Sequence, residues 1–316
     1  MAVFYIQINQ QTENISVNWQ RELAKQQIAP LYQQINGLVC CLLVGSSARN
    51  LQRDFSDVDL VMYWDNIPSE LQRIQIIEQA TGIITEMYDS SEDDADISLQ
   101  SQSDVFYLLG DKHTGIKIDV THKTVTSAEK LIDDVVIRYE TKRIKFAILH
   151  SLHHSLTLVG EDWMMARLAQ IGDEMPMRVA VKLIEDNIRF NPIWIFDMFA
   201  GRPDPILYHR FRSKNLDQML MVLGAVNRLY MPDGFKHLNA FIDELTIQPD
   251  RLGHDIYQIL DSDPAIAKPT ILRLGDAIHD LVAHHFPDID IQDARDGFHY
   301  VRPRHEGALL LKETRL

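Results

Sequence analysis

The sequence contains few cysteines and no disulfide framework. Its 316 residues include only two cysteines, Cys40 and Cys41, and these are adjacent. Neighbouring residues on a strand point to opposite faces, so we expect no bridge between them. A disulfide framework is typical of secreted proteins, and the first residues also lack the basic and apolar stretches of a signal peptide. The sequence therefore predicts a cytoplasmic protein.

Positive charge and long apolar runs are also scarce. Lys and Arg total 31 and Asp and Glu total 45, which gives a formal net charge of −14. A broad surface for DNA or RNA needs an excess of cations to contact the phosphates, so a nucleic-acid partner is not expected. A nucleotide that arrives with magnesium is still allowed, because the metal carries positive charge. No apolar run approaches the roughly 18 residues of a membrane helix, so no membrane partner is expected.

Several common catalytic motifs are missing. The sequence has no GxxxxGK[ST], GxGxxG, HExxH, CxxC or GxSxG pattern. These absences disfavour P-loop nucleotide binding, dinucleotide binding, zinc proteolysis, CxxC chemistry and the hydrolases with a serine on a nucleophile elbow. Any catalytic site must therefore be built from a different arrangement of residues.

Helical and strand patterns are unevenly distributed along the chain. Apolar spacing predicts helices over Val17–Ile35 and Pro68–Ala80, and no strand after about Ser127. Apolar runs and alternation predict the strands Leu38–Val44, Asp57–Trp64, Val105–Leu109 and Gly115–Thr121. We therefore predict an α+β fold. Residues 1–126 form a domain with a small mixed sheet flanked by helices, and residues 127–316 form an all-helical domain.

Three aspartates lie on predicted strands of the first domain. Asp57 and Asp59 are two residues apart, so both side chains leave the same face of their strand. Asp119 can join them if its strand pairs beside Asp57–Trp64. Carboxylates at short range repel one another unless a cation neutralises them, and oxygen ligands suit Mg²⁺ or Mn²⁺. The pattern predicts a site where three carboxylates hold two metal ions against a phosphoryl group.

A glycine–serine turn precedes the aspartate pair. Gly45 permits a close backbone approach, and the turn amides together with the Ser46 hydroxyl can hold a triphosphate. Ser56 can hydrogen-bond to a phosphate or a carboxylate. Arg49 can contact phosphates or form surface ion pairs, while Lys117 can balance the charge of its neighbouring aspartate. Gly45, Ser46, Ser56 and Arg49 are thus the predicted nucleotide-binding residues.

The order of these motifs resembles a known signature. Gly45-Ser46, then Asp57-Val58-Asp59, and later Ile118-Asp119-Val120 are similar to the motifs of the DNA polymerase beta-like nucleotidyltransferase superfamily. The resemblance covers residues 38–121. Because a helical domain follows, the chain is most similar to the small-molecule branch, such as the bacterial aminoglycoside and lincosamide nucleotidyltransferases.

The resemblance implies a magnesium-dependent transferase. A nucleoside monophosphate passes from a nucleoside triphosphate, with ATP as the expected co-substrate, to a hydroxyl of a small-molecule acceptor, and pyrophosphate leaves. By this resemblance Asp57 and Asp59 bind the two metal ions, and Asp119 binds the catalytic metal and helps to deprotonate the acceptor. In some relatives a glutamate of the helical domain is the base. The candidates here are Glu140, Glu161 and Glu185.

The sequence leaves two other functions open. The same chemistry can modify a protein or a transfer RNA, as in toxin-like relatives, although the net charge of −14 disfavours an RNA acceptor. A catalytically silent scaffold that binds nucleotide is the other alternative. An aromatic group in the second domain also has two interpretations, a core between helices or the wall of an acceptor pocket. Its members are Phe190, Trp194, Phe196 and Phe199.

Overall fold

A computed structural model describes residues 18–53, 55–80, 82–89, 96–201 and 204–302. Residues 1–17, where no signal peptide is predicted, lie outside the described residues. The chain divides into two units. The first comprises Met1–Lys130 and Ser151–Arg167, and the second comprises Leu131–His150 and Leu168–Leu316. This division differs from the predicted single boundary after residue 126, because residues 151–167 return to the first unit.

A mixed sheet of six strands lies in the described part of the first unit. Its strands are β1 (Leu38–Val44), β2 (Val58–Trp64), β3 (Ile83–Asp89), β4 (Gln102–Leu108), β5 (Ile116–Thr124) and β6 (Leu156–Val159). Their order across the sheet is β3-β4-β5-β2-β1-β6. β2 and β5 run parallel, and every other neighbouring pair is antiparallel. With its many helices, the chain is a mixed α/β protein that is compatible with the predicted α+β class.

Four of the six strands follow the predicted pattern. β1 has the predicted bounds, and β2, β4 and β5 differ from prediction by a few residues at their ends. The expectation that strands stop after about Ser127 is wrong, because β6 pairs antiparallel with β1. Four residues are too few to give a clear alternating pattern, and the backbone hydrogen bonds to β1 are what make this segment a strand.

Helices cover one face of the sheet. They are α1 (Trp19–Leu23), a π-helical turn (Ala24–Ile28), α2 (Ala29–Tyr32) and α4 (Glu70–Gln79), while α3 (Gly45–Ala48) is a single turn after β1. Their apolar side chains pack on alternate strand positions, including Leu60 of β2 and Ile118 of β5. This alternation directs Asp59 and Asp119 to the opposite face. Trp19, the first residue of α1, is exposed.

A buried polar network lies in the same core. Asp104 of β4 is completely buried and accepts a hydrogen bond from His122 Nε2 at 3.0 Å, while Arg73 Nε lies 3.2 Å from the same carboxylate oxygen. Trp64 Nε1 donates to His122 Nδ1 at 3.1 Å, so the ring proton is assigned to Nε2. Burial lowers the pKa of His122 and outweighs the opposing influence of Asp104. Each group in this network has its main partners inside the core.

The second unit contains helices and connecting turns, and no strand, among its described residues. It contains α8 (Met177–Asn187), α9 (Trp194–Ala200), α10 (Pro205–Val226), α11 (Leu238–Glu244), α12 (Leu252–Asp261), α13 (Pro264–His285) and α14 (Gln292–His299). Three earlier helices have residues in both units, namely α5 (Val125–Val136), α6 (Arg143–His153) and α7 (Glu161–Ile171). α10 agrees with the helical domain predicted for this part of the chain. Its apolar side chains from Leu216 to Val226 are buried, whereas Ile206 and Leu207 near its start are exposed. No helix in the described ranges combines the length and apolar character that a membrane crossing requires.

Candidate functional site

Three aspartate side chains meet on the face of the sheet that carries Asp59. The parallel pairing of β2 with β5 places Asp59 directly opposite Asp119, and Asp57 comes one residue before β2. One carboxylate oxygen from each of the three residues lies within 4.8 Å of the other two. We call Asp57, Asp59 and Asp119 the carboxylate cluster. The strand pairing that the sequence required for this cluster is therefore present.

Lys117 connects two members of the carboxylate cluster. Its Nζ donates to Asp57 Oδ2 at 2.9 Å and to Asp119 Oδ2 at 2.8 Å. Desolvation lowers the pKa of the Lys117 ammonium, but the hydrogen bonds to Asp119 and Asp57 and their negative charges outweigh it, so the pKa is raised above its ordinary value. Lys117 is therefore a cation at neutral pH. In the absence of metal, this ammonium therefore offsets part of the negative charge of the three carboxylates.

The carboxylate cluster fits a magnesium or manganese ion. Mg²⁺ binds oxygen ligands at about 2.1 Å, so two oxygens on one ion lie at most about 4.2 Å apart. Oxygens within 4.8 Å of one another therefore need to shift toward a common point to share one ion. Asp119 Oδ1 is buried and has no hydrogen-bond partner among the described residues. An acceptor atom of this kind is costly to bury unless a ligand satisfies it.

The turn after β1 depends on glycine beside Asp59. Val44, the last residue of β1, pairs with Asp59 of β2, so Gly45 follows directly next to the carboxylate. Gly45 has a φ of +69°, and a Cβ there would lie 2.4 Å from Asp59 Oδ2. Both the backbone conformation and the space therefore require a residue without a side chain.

We expect Gly45→Ala to damage the carboxylate cluster and not only the turn. The left-handed conformation should cost about 1–2 kcal/mol in the free energy of unfolding. The added methyl should displace the Asp59 carboxylate and weaken Mn²⁺ binding about 10- to 100-fold, as for other changes that misplace a metal ligand. Calorimetric titration with Mn²⁺ and urea unfolding measure the two effects.

Gly234→Ala is the matched control for this prediction. Gly234 also has a positive φ, +54°, but a Cβ there meets no atom within 4 Å. It should lose stability to a similar degree and keep the Mn²⁺ affinity of the wild type. Equal Mn²⁺ affinity in Gly45→Ala and the wild type would contradict the steric role of Gly45.

Side chains at the start of α1 donate hydrogen bonds to the turn that follows β1. Asn18 Nδ2 and Arg21 Nε donate to the Ser47 carbonyl oxygen at 2.8 and 2.9 Å. Ser47 Oγ in turn donates to the Asp57 carbonyl oxygen at 3.3 Å, which ties the turn to the residue that begins the carboxylate cluster. No local pattern in the sequence indicates these contacts, because they join residues 26 and 29 positions apart.

Three of the predicted nucleotide-binding residues, Gly45, Ser46 and Arg49, lie in this turn or directly after it. Ser46 is buried in α3, and the Arg49 amide donates to the Ser46 carbonyl oxygen at 3.2 Å, which ends the helical turn. The Arg49 side chain is half-buried. Ser56 precedes Asp57, and its Oγ accepts a hydrogen bond from the Arg53 amide at 2.8 Å. The Ser56 hydroxyl thus accepts a hydrogen bond from a residue three positions earlier in the chain. Its role in nucleotide binding stays a prediction.

The three glutamates considered as bases lie in different surroundings. Glu161 is exposed at the first residue of α7, in the first unit, and does not belong to the carboxylate cluster. Glu140 accepts a hydrogen bond from Lys145 Nζ at 2.8 Å, and the same ammonium donates to Asp134 at 2.6 Å. Glu185 is exposed on α8. These positions assign the role of base to none of the three.

A cavity lies within the second unit. It has a volume of about 690 Å³, and its wall includes Phe199, Tyr208 and Arg212. Phe199 is nevertheless buried, as are Phe190 and Phe196 of the predicted aromatic group, and Trp194 is half-buried. The core interpretation of this group is therefore supported, while Phe199 also contributes to a pocket wall.

Comparisons with known proteins assign no family. No protein-family model matches the chain. No curated protein matches it at a significant level. Function is therefore inferred from the geometry of the carboxylate cluster and from the turn beside it.

Proposed function

We propose that this protein is a magnesium-dependent nucleotidyltransferase of the DNA polymerase beta-like superfamily. It would transfer a nucleoside monophosphate from a nucleoside triphosphate, with ATP as the expected donor, to a hydroxyl of a small-molecule acceptor. The observation that carries this proposal is the parallel register that sets Asp59 opposite Asp119, with Asp57 on the same face. The backbone amides of the glycine turn beside Asp59 would bind phosphates next to the same carboxylates.

The residues of the site have distinct roles in this proposal. Asp57, Asp59 and Asp119 would hold the divalent ions, which when bound neutralise the carboxylates and stabilise negative charge on the phosphoryl oxygens. The backbone amides of α3 and the Ser46 hydroxyl would donate to the triphosphate. The acceptor oxygen forms a bond to the α-phosphorus as the bond to the pyrophosphate oxygen breaks. Asp119 would accept the proton that the acceptor hydroxyl loses.

The two units would have different functions in this proposal. The first unit, which holds the carboxylate cluster, would be the catalytic domain, and the helical second unit would bind the acceptor. The formal net charge of −14 favours a neutral or cationic small molecule over RNA as the acceptor.

Pyrophosphate release tests the proposal directly. The full chain is incubated with Mg²⁺, each of the four common nucleoside triphosphates, and a panel of aminoglycosides, lincosamides and hydroxyl-bearing metabolites. We expect release of pyrophosphate with one acceptor class and transfer of label from the α-phosphate to that acceptor. Reactions with a chelator in place of Mg²⁺ are the control and should be inactive.

The distribution of label separates the alternatives. Label found only on protein or transfer RNA from a lysate would favour the macromolecular acceptor over the small molecule. Binding of a nucleoside triphosphate in calorimetry, with no product under any condition, would favour the silent scaffold. Neither result agrees with transfer to a small molecule.

A further inference from the structure

We infer that Lys117 is an internal cation that occupies the carboxylate cluster in the metal-free protein and must leave it before divalent ions bind. The inference rests on the proposed metal site and concerns how that site is filled. Lys117 would then compete with metal for Asp57 and Asp119. This competition would set the metal concentration at which the cluster becomes loaded.

A metal bound to the carboxylate cluster would lie close to the Lys117 ammonium. Lys117 Nζ lies 2.9 Å from Asp57 Oδ2 and 2.8 Å from Asp119 Oδ2, so one ammonium binds two of the three predicted ligands. A divalent ion about 2.1 Å from either oxygen would lie at most about 5 Å from that ammonium. Two cations this close repel strongly in a partly buried site. Full loading of the cluster therefore requires the ammonium to move.

The lysine side chain is suited to such movement. About a third of its surface is exposed, 34%, as is that of Asp57, 36%. A lysine carries a compact charge on a flexible four-carbon stem, so its ammonium can turn into solvent without disturbing the core. While metal is absent, the same ammonium offsets the repulsion among three carboxylates. Lys117 thus holds the carboxylates together in the metal-free protein, and its ammonium turns into solvent when a divalent cation binds.

Mn²⁺ titration of Lys117 variants tests this competition. Calorimetry measures binding of Mn²⁺ alone to the full chain, to Lys117→Met and to Lys117→Gln. We expect both neutral variants to bind Mn²⁺ about tenfold more tightly than the wild type, equivalent to about 1.4 kcal/mol. Lys117→Arg keeps a cation at the cluster and should bind Mn²⁺ no more tightly than the wild type.

A second lysine controls for net charge. Lys112 is exposed in the turn between β4 and β5, so Lys112→Met makes the same change in net charge away from the cluster. It should bind Mn²⁺ as the wild type does. Thermal unfolding gives an independent readout. Without metal, Lys117→Met should melt at a lower temperature than the wild type, and Mn²⁺ should raise its melting temperature by more.

The outcomes separate the inference from the metal site itself. Equal or weaker Mn²⁺ binding in both neutral Lys117 variants, with binding intact in the wild type, would overturn the competition and leave the metal site standing. Tighter binding in Lys112→Met to the same degree would also overturn it, because net charge alone would then explain the gain. Absence of Mn²⁺ binding in every one of these proteins would remove the metal site and the proposed function with it.

Discussion

Asp59→Asn is expected to lower the rate of pyrophosphate release about a hundred- to a thousandfold. Asp59 lies at the centre of the site, since it pairs with Val44 on one side and with Asp119 on the other. Asparagine has almost the same shape, so the sheet and the turn should be retained. The change removes one negative charge from a cluster that must balance divalent cations, and loss of electrostatic stabilisation of this kind typically costs two to three orders of magnitude.

Stability distinguishes this effect from general damage. Because three carboxylates repel one another, Asp59→Asn should unfold at the same temperature as the wild type or at a higher one when metal is absent. Asp65→Asn makes the same change at an exposed residue just after β2 and should keep full activity. If Asp59→Asn retained more than about a tenth of the activity, the role of the carboxylate cluster in transfer would be wrong.

Asp104→Ala should have the largest effect on stability, a loss of about 3–5 kcal/mol in the free energy of unfolding. Asp104 is completely buried, and its carboxylate faces both His122 and Arg73. Without it, the buried Arg73 guanidinium keeps its contacts with Gln102 and the Pro68 carbonyl oxygen but loses the carboxylate with which it forms a buried ion pair. An uncompensated buried cation is the costly outcome of breaking such a pair.

Urea unfolding measures this loss. Asp65→Ala removes an exposed carboxylate from the same unit and should change the free energy of unfolding by no more than about 0.5 kcal/mol. A cost below about 1 kcal/mol for Asp104→Ala would show that the network contributes little to the fold.

Local sequence patterns predicted the strands that contain an apolar run or an alternation of apolar and polar residues. The apolar run of β1 gave its bounds directly, and alternation placed Asp59 and Asp119 on the face away from the core. β3 and β6 were not predicted. β3 forms through its pairing with β4, and the four residues of β6 form a strand through pairing with β1. Such pairings connect distant segments, so periodicity within one segment cannot indicate them.

The same limit applies to the site. Alternation showed that Asp57 and Asp59 share a face, but their meeting with Asp119 depends on the pairing of β2 with β5. From the sequence, Lys117 is expected only to balance the charge of its neighbour Asp119, whereas its contact with Asp57 spans 60 residues. The catalytic base could not be predicted from the sequence either, because no pattern within a helix indicates which glutamate lies near an acceptor.

Crystallography with manganese and a non-hydrolysable nucleoside triphosphate tests the central claim most directly. Anomalous scattering locates each Mn²⁺ ion without reference to the protein chemistry around it. We predict Mn²⁺ within about 2–2.3 Å of oxygens from Asp57, Asp59 and Asp119, with phosphate oxygens completing its coordination beside Gly45. Manganese and nucleotide bound elsewhere, with the carboxylate cluster still held by Lys117, would contradict the account.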